Sequence, residues 1–600
     1  MTTRALLLGT VLAFAFACAA SAPAADLPKR QEGQIVYDNV PQTPAELKAA
    51  IAPYYNARSA VFEDWLDDGS ILIATRFGDV NQIHRVAAPG GARTQLTFFP
   101  EPVNSAKAQP GAARFVYPRD VGGAEYYQAY VRGLTGAEVQ LTAPKTRNDS
   151  FVFSGDGKLV AWSQVTPGDP DYDIMLADPA QPEGRRVVHE GKGALAVLDF
   201  APDGKSLLLS RYNSATFVEL FVLDLASGAL RPVGPTNRKV AYDGGAFTAD
   251  GSGVVTLSDD KSDVTRPVVL DIATGKLLPA PTLPQGVLTG LGFSPDGKQL
   301  GLSLSTSTSS GDVWSFALAD QQLVRWTQSE LGGLDPAKLV EPTLFRYPTF
   351  DMRSIPAFIY KPAARAGEKL PVVIQIHGGP EGQEQPNFNP RRQSWVNEVG
   401  AAVIIPNVRG STGYGKTYLG LDNAAKREDS VKDIGALLDW VAKQPDLDAS
   451  RVAVVGQSYG GYMSLAVAAH YNERIAGAID LYGISNWKTF LENTEGYRRD
   501  LRRAEYGDER DPKMAAVFEK ISPLNMSEKM KKPMMIYQGA NDPRVPQSES
   551  EQMVAKLRAQ GTEVWYVLAK DEGHGVSKKQ NAEAVRASEI VFLKKVLGTK

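Results

Sequence analysis

Three residue types that together perform acyl transfer occur in this sequence in a usable order: a serine between glycines, then an aspartate, then a histidine near the C-terminus. Gly456-Gln457-Ser458-Tyr459-Gly460 follows an apolar run at 452–455 and precedes helix-compatible residues 462–469. At such a strand-to-helix turn the serine hydroxyl is held clear of the sheet, and the flanking glycines let backbone and helix approach where side chains would collide. A serine hydroxyl needs a base, and the chain offers five histidines: His84, His189, His377, His470 and His574. The first two fall in the repeats described below, His470 ends the helix after Ser458, and His377 ends an earlier strand. His574, in Asp571-Glu-Gly-His-Gly575 after a strand-like run at 564–568, is the expected base. Nucleophile, acid, base in chain order then points to Asp542, just past the run at 534–537; Asp480, ending the strand right after the elbow, comes too early. The expected chemistry is proton removal from Ser458 by His574, orientation of the imidazole by Asp542, and an acyl-enzyme that water resolves. The oxyanion would be met by the backbone N–H of Tyr459 and by an amide of His377-Gly378-Gly379-Pro380. None of this requires a cofactor or a metal.

A second pattern competes. Gly410-Ser-Thr-Gly-Tyr-Gly415-Lys416-Thr417 satisfies G-x-x-x-x-G-K-[ST], the form of a phosphate-binding loop. Such a loop should open a helix at once, yet Tyr-Leu-Gly420-Leu-Asp-Asn423 follows, with helix-weakening residues. Nucleotide binding is therefore not expected.

The elements that must position these residues change character along the chain. From about 336 to 600, apolar strands at 371–376, 401–405, 452–455, 476–479, 534–537 and 564–568 alternate with amphipathic helices such as 430–443. This is the pattern of a doubly wound, mostly parallel α/β sheet, here an α/β-hydrolase domain. Before it, an aromatic residue followed by an Asp-Gly turn recurs at Gly69, Gly157, Gly204, Gly251 and Gly297, with steps of 47, 47 and 46 residues from Gly157 onward. The first gap of 88 residues is about two periods and holds a degenerate copy at Gln109-Pro110-Gly111. Asp-Gly hairpins at this period fit four-stranded propeller blades, so residues 61–335 are expected to form a β-propeller. Six markers imply six blades, with a seventh from divergent or N-terminal strand material left open. Residues 26–60 contain a helical pattern, with Leu47, Ile51 and Tyr55 on one face, expected to pack near the hydrolase.

Composition narrows the partners. Of the 600 residues, 22% are charged and 43% hydrophobic, which is ordinary for a folded chain. The net charge of -3 gives no global field to draw nucleic acid. Arg4 followed by an apolar run at 5–17 and small residues at 19–25 reads as a signal peptide over 1–25, hence an exported, periplasmic or secreted protein. The single cysteine, Cys18, lies in that segment; the residues before it make a poor lipobox, so a lipid anchor there is the weaker alternative. No later stretch has the ~20 apolar residues of a membrane span.

The run from His377 through Asn407-Val-Arg-Gly-Ser-Thr-Gly-Tyr-Gly415, Gly456-Gln-Ser-Tyr-Gly-Gly-Tyr462, Gly539-Ala-Asn-Asp-Pro-Arg-Val-Pro546 and Glu572-Gly-His-Gly575 resembles the prolyl oligopeptidase family of serine peptidases over about residues 340–600. The resemblance is closest to its acylaminoacyl peptidase and dipeptidyl peptidase branches. It implies that the 407–415 stretch is a structural loop, that Gly379 supplies the second oxyanion amide, and that Arg544 holds a substrate carbonyl. It also implies that Tyr459, Ile484, Trp487, Phe490 and Val545 surround the pocket for the residue before the cut, an apolar pocket suited to proline, alanine or larger apolar side chains. The propeller would then limit substrates to oligopeptides. The chain lacks the oxyanion tyrosine of the prolyl oligopeptidase and dipeptidyl peptidase IV branches, and shows no paired-glutamate helix to grip a free amino terminus. A carboxylesterase on the same scaffold is the alternative activity, and a homo-oligomer stays open.

Overall fold

In the computed structural model, residues 27–279, 287–363 and 367–599 are described; the apolar run read as an export signal lies outside them. Six four-stranded antiparallel sheets succeed one another from Ala60–Trp65 to Leu323–Arg325, each made of four consecutive strands. All six sequence markers occupy the hairpin between the first and second strands of their sheet, and Gly69, Gly111, Gly157, Gly204, Gly251 and Gly297 have φ between 67° and 81°. A side chain is disfavoured in that left-handed region, which is why each turn carries glycine there, after aspartate in five and after Pro110 in the second. In the third blade, Asp156 locks the turn by accepting from the Ser154 hydroxyl at 2.8 Å and the Lys158 N–H at 3.1 Å.

The propeller has six blades. The N-terminal strand material that could have built a seventh, Arg30–Glu32 and Ile35–Asp38, joins the hydrolase sheet instead. Among the described residues no strand from one end of the ring completes a sheet at the other, so the sixth and first blades meet through side chains and a few backbone hydrogen bonds such as Gly90 N–H to the Trp326 carbonyl at 3.0 Å. Phe62 lies across Gly292 and Gly301, where an added Cβ would come within 2.9 and 2.3 Å of its ring. Its N–H donates to Ser303 Oγ at 2.7 Å, and Trp65 Nε1 donates to the Gly292 carbonyl at 3.1 Å.

The hydrolase sheet has ten strands. Its centre is parallel, in the order Val564–Ala569, Met534–Gly539, Gly477–Leu481, Leu447–Gln457, Leu370–Ile376, Ala402–Pro406. Antiparallel pairs extend both edges: Ser354–Tyr360 and Thr343–Pro348 on one side, Ile35–Asp38 and Arg30–Glu32 on the other. Helices cover both faces. The helix Glu428–Ala442 buries Val431, Ile434, Leu437, Leu438 and Val441 on one of them. The N-terminal helix Ala45–Asn56 buries Ile51, Tyr54 and Tyr55 on the other, in one core with Val585, Ile590 and Leu593. The hydrolase therefore draws on both ends of the chain around the propeller. Where the chain enters and leaves the ring, Ala57 forms a β-bridge with Leu331, and the Arg58 N–H donates to the Glu330 carbonyl at 2.9 Å.

Candidate active site

Ser458 stands between the strand Leu447–Gln457 and the helix Tyr459–His470, at φ 58° and ψ -123°. The flanking glycines are required by contact: a Cβ on Gly456 would fall 1.7 Å from the Gly460 carbonyl oxygen, and one on Gly460 would fall 2.2 Å from that of Ile376. The backbone is held in a region that a non-glycine residue rarely adopts, and the fold around it fixes that strain.

The structure brings Ser458, His574 and Asp542 together. His574 Nε2 lies 2.9 Å from Ser458 Oγ, and Nδ1 lies 2.7 Å from Asp542 Oδ2. With Nδ1–H donated to the carboxylate, Nε2 is the free acceptor for the serine proton. The other carboxylate oxygen of Asp542 accepts from the N–H groups of Arg544 (2.8 Å) and Val545 (3.0 Å), so the acid is fixed by its own loop. The histidine loop is pinned from below. Tyr537 donates to the Gly575 carbonyl at 2.9 Å, and Glu572 accepts from the Ser577 and Lys578 N–H groups at 2.9 and 3.0 Å. Asp480, the rejected acid, is buried beneath the elbow against Gly461 and Gly483, and burial pushes its carboxyl up to about 7. His377 is occupied structurally, with its ring nitrogens 2.8 Å from the Gly378 carbonyl and 2.9 Å from Ser411 Oγ.

The turn after His377 lies against the nucleophile: a Cβ on Gly378 would meet Ser458 Cβ at 3.1 Å. The Gly379 carbonyl accepts from Tyr506 at 2.5 Å, which fixes that peptide. Behind Tyr506 is a buried charge cluster. Arg427 pairs with Asp422 at 2.6 Å, and Arg502 with Glu381 at 3.4 Å. Burial, reinforced by the neighbouring Glu381, pushes Glu505 up to about 8, whereas Arg502 overcomes burial and holds Glu381 below the usual range. The two carboxyls are thus pushed apart, Glu505 toward its protonated form and Glu381 toward its charged one.

A cavity of about 270 Å³ opens on Ser458 and His574 and is lined by Gly379, Ile484, Phe490, Val545 and Arg544. Two expected wall residues do not line it. Trp487 begins the helix Trp487–Asn493 with its ring turned into the core against Tyr462 and Tyr506, both at 4.7 Å, so only Phe490 of that helix reaches the cavity. The Tyr459 ring is likewise buried, its hydroxyl 2.8 Å from Ser430 and donating to Asp422 at 3.2 Å; its place beside the nucleophile is a matter of backbone. Arg544 Nε donates at 2.5 Å to Glu125, a propeller residue that no sequence motif marks.

The phosphate-loop pattern is spent on the same domain junction. Lys416 pairs with Asp259 of the fifth blade at 3.0 Å, and Thr417 donates through both N–H and hydroxyl to Asp263 at 2.8 Å. The helix it opens, Lys416–Leu419, is a single turn.

Residues 386–600 match the sequence profile described as the prolyl oligopeptidase family. Dipeptidyl aminopeptidase BIII of Pseudoxanthomonas mexicana is 28% identical over 472 residues, 72% of this chain and 66% of that protein. Dipeptidyl peptidase family member 6 of Caenorhabditis elegans is 35% identical over 231 residues, 38% of this chain and 31% of that one. The chain thus aligns with just under two thirds of the first relative's length and about a third of the second's. A solved prolyl endopeptidase superposes with a TM-score of 0.81 over 93% of both chains at 15% identity, a likeness of fold. Residues 386–600, with the serine at the elbow, thus match the prolyl oligopeptidase family of serine peptidases, and the six-bladed propeller followed by an α/β-hydrolase domain is the fold of the solved prolyl endopeptidase.

Proposed function

We propose that this protein is an exported peptidase that cuts short peptides through an acyl-enzyme, acting near the substrate's amino terminus in the manner of a dipeptidyl or acylaminoacyl peptidase. Ser458 attacks the carbonyl while His574 takes its proton and later delivers it to the leaving amine; Asp542 holds the imidazole tautomer and stabilises the cation. The N–H groups of Gly379 and Tyr459 meet the oxyanion. Ile484, Phe490 and Val545 receive the side chain before the cut, Arg544 holds a substrate carbonyl, and the propeller excludes folded proteins.

The observation that carries this reading is the unbroken hydrogen-bonded chain from Asp542 through His574 to Ser458, opening on a cavity with an apolar wall. The signal-like N-terminus supports export, and the dipeptidyl aminopeptidase relative supports the amino-terminal mode. The test is steady-state hydrolysis of matched chromogenic peptides, free or acylated at the amino terminus, with Ser458→Ala as control. We expect amide cleavage that falls by about 10⁶ in kcat in the variant, and the free-to-acylated ratio assigns the mode. Ester cleavage without amide cleavage would leave a carboxylesterase in its place.

A further inference from the structure

The helix Gly496–Tyr506 carries four arginines, and they are not equivalent. Arg503 turns outward to Asp500 at 2.8 Å and to Glu509. Arg499 donates to the Thr494 carbonyl at 3.0 Å. Arg498 and Arg502, one turn apart on the same face, line the cavity that holds Ser458 and His574. Arg502 has its carboxylate in Glu381. Arg498 has none: among the described residues it makes no ion pair within 4.0 Å and no side-chain hydrogen bond, and its Nε is buried without an acceptor. The groups facing it are mostly of its own sign, Arg502 and Arg544, and the carboxylate in reach of its field, Glu125, is already taken by Arg544.

A guanidinium cannot shed its proton to relieve this. Burial and the repulsion of Arg544 and Arg502 both act to lower its pKa. Arg498 is half-buried, with its Nε enclosed without an acceptor and its side chain lining the cavity that holds Ser458 and His574, so a guanidinium with no protein carboxylate there is suited to a partner that arrives with the substrate. The cavity thus joins an apolar wall to a cationic one, both within reach of the nucleophile.

We propose that Arg498 binds a carboxylate of the substrate beside the scissile bond, so that the enzyme prefers peptides carrying a negative charge there. Two sources offer this chemistry: an aspartate or glutamate side chain before the cut, or the terminal carboxylate of a short leaving segment. Both present planar oxygens to the guanidinium fork. This rests on the peptidase reading and goes further by naming the substrate's charge.

The test measures kcat/KM for peptide pairs differing only in charge: Glu against Gln, and Asp against Asn, at each of the two positions before the bond. A third pair has a free or amidated C-terminus one residue after the bond. We expect at least one pair to favour the acid by about tenfold or more. In Arg498→Gln that ratio should fall to about one, and Arg498→Lys should restore part of it. Because each ratio is internal to one enzyme preparation, a general loss of folded protein does not mimic the result, and which pair responds identifies the source. Neutral peptides cut as well as acidic ones by the parent enzyme would overturn the proposal and leave the peptidase standing, as would an acid preference that survives Arg498→Gln. Cleavage of neither kind would overturn both.

Discussion

Two seven-residue strands show how differently the two domains are built. Leu370–Ile376, in the hydrolase sheet, is buried at every position, whereas Val287–Phe293, which opens the sixth blade, is buried at none. Both are apolar by composition. The first lies between parallel neighbours with helices on both faces; the second packs mainly on the next blade, where Phe62 meets it across glycines. The hydrolase is thus tied together across long sequence distances, and the ring mostly by nearest neighbours. Atomic positions needed for chemistry belong in the first environment; the second tolerates change blade by blade.

The comparison is sharpened most by a change that removes no contact volume. In Asp542→Asn the amide would donate toward His574 Nδ1 and force the tautomer in which Nε2 carries the proton, so Ser458 loses its base. We expect kcat to fall by about 10⁴ with the melting temperature nearly unchanged, measured by peptide hydrolysis beside calorimetry. In the ring, the corresponding weak point is closure. Phe62→Ala should cost about 3–5 kcal/mol at the seam between first and sixth blades, seen as an early step in urea unfolding that leaves the hydrolase transition in place. A single merged transition shifted as a whole would break the distinction between the domains. The smallest effect tests the buried cluster behind the oxyanion turn. The folded state keeps the Glu505 proton up to about pH 8, whereas the unfolded chain releases it near 4.5. The stability it contributes is therefore present below the lower value and lost as pH rises through the higher. Glu505→Gln imitates the protonated form, so at about pH 9 it should melt about 2–4 °C above the parent, with little difference at about pH 5. Equal melting curves at both values would remove the proton from Glu505.

Much of this is legible in the sequence because it is local. Gly456 and Gly460 bracket Ser458 within one turn, and each Asp-Gly hairpin joins strands a few residues apart, so residue type alone marks the position. What could not be read depends on contacts between distant segments. Ile35–Asp38 pairs with Val564–Ala569, more than 500 residues away, and no local pattern foretells such an edge strand. Trp487 and Phe490 sit three apart on one helix, and only the core against which the helix lies decides that one lines the cavity and the other does not. The helix Gly496–Tyr506 carries four arginines, and its inward pair emerges only once Glu381 and the elbow are beside it. Glu125 becomes visible only when the third dimension brings it to Arg544.

The bridge between Ala57 and Leu331 carries a consequence for modularity. Because the chain enters and leaves the ring at one clasp, the propeller is topologically an insert within a hydrolase that the remaining segments would complete without rewiring a single strand of its sheet. Duplication, loss or exchange of the whole ring between related chains leaves the order of the catalytic sheet untouched. The propeller and the hydrolase are therefore free to diverge at separate rates, joined by one gate in the backbone and by side-chain couplings such as Lys416 to Asp259 that point substitutions can rewrite.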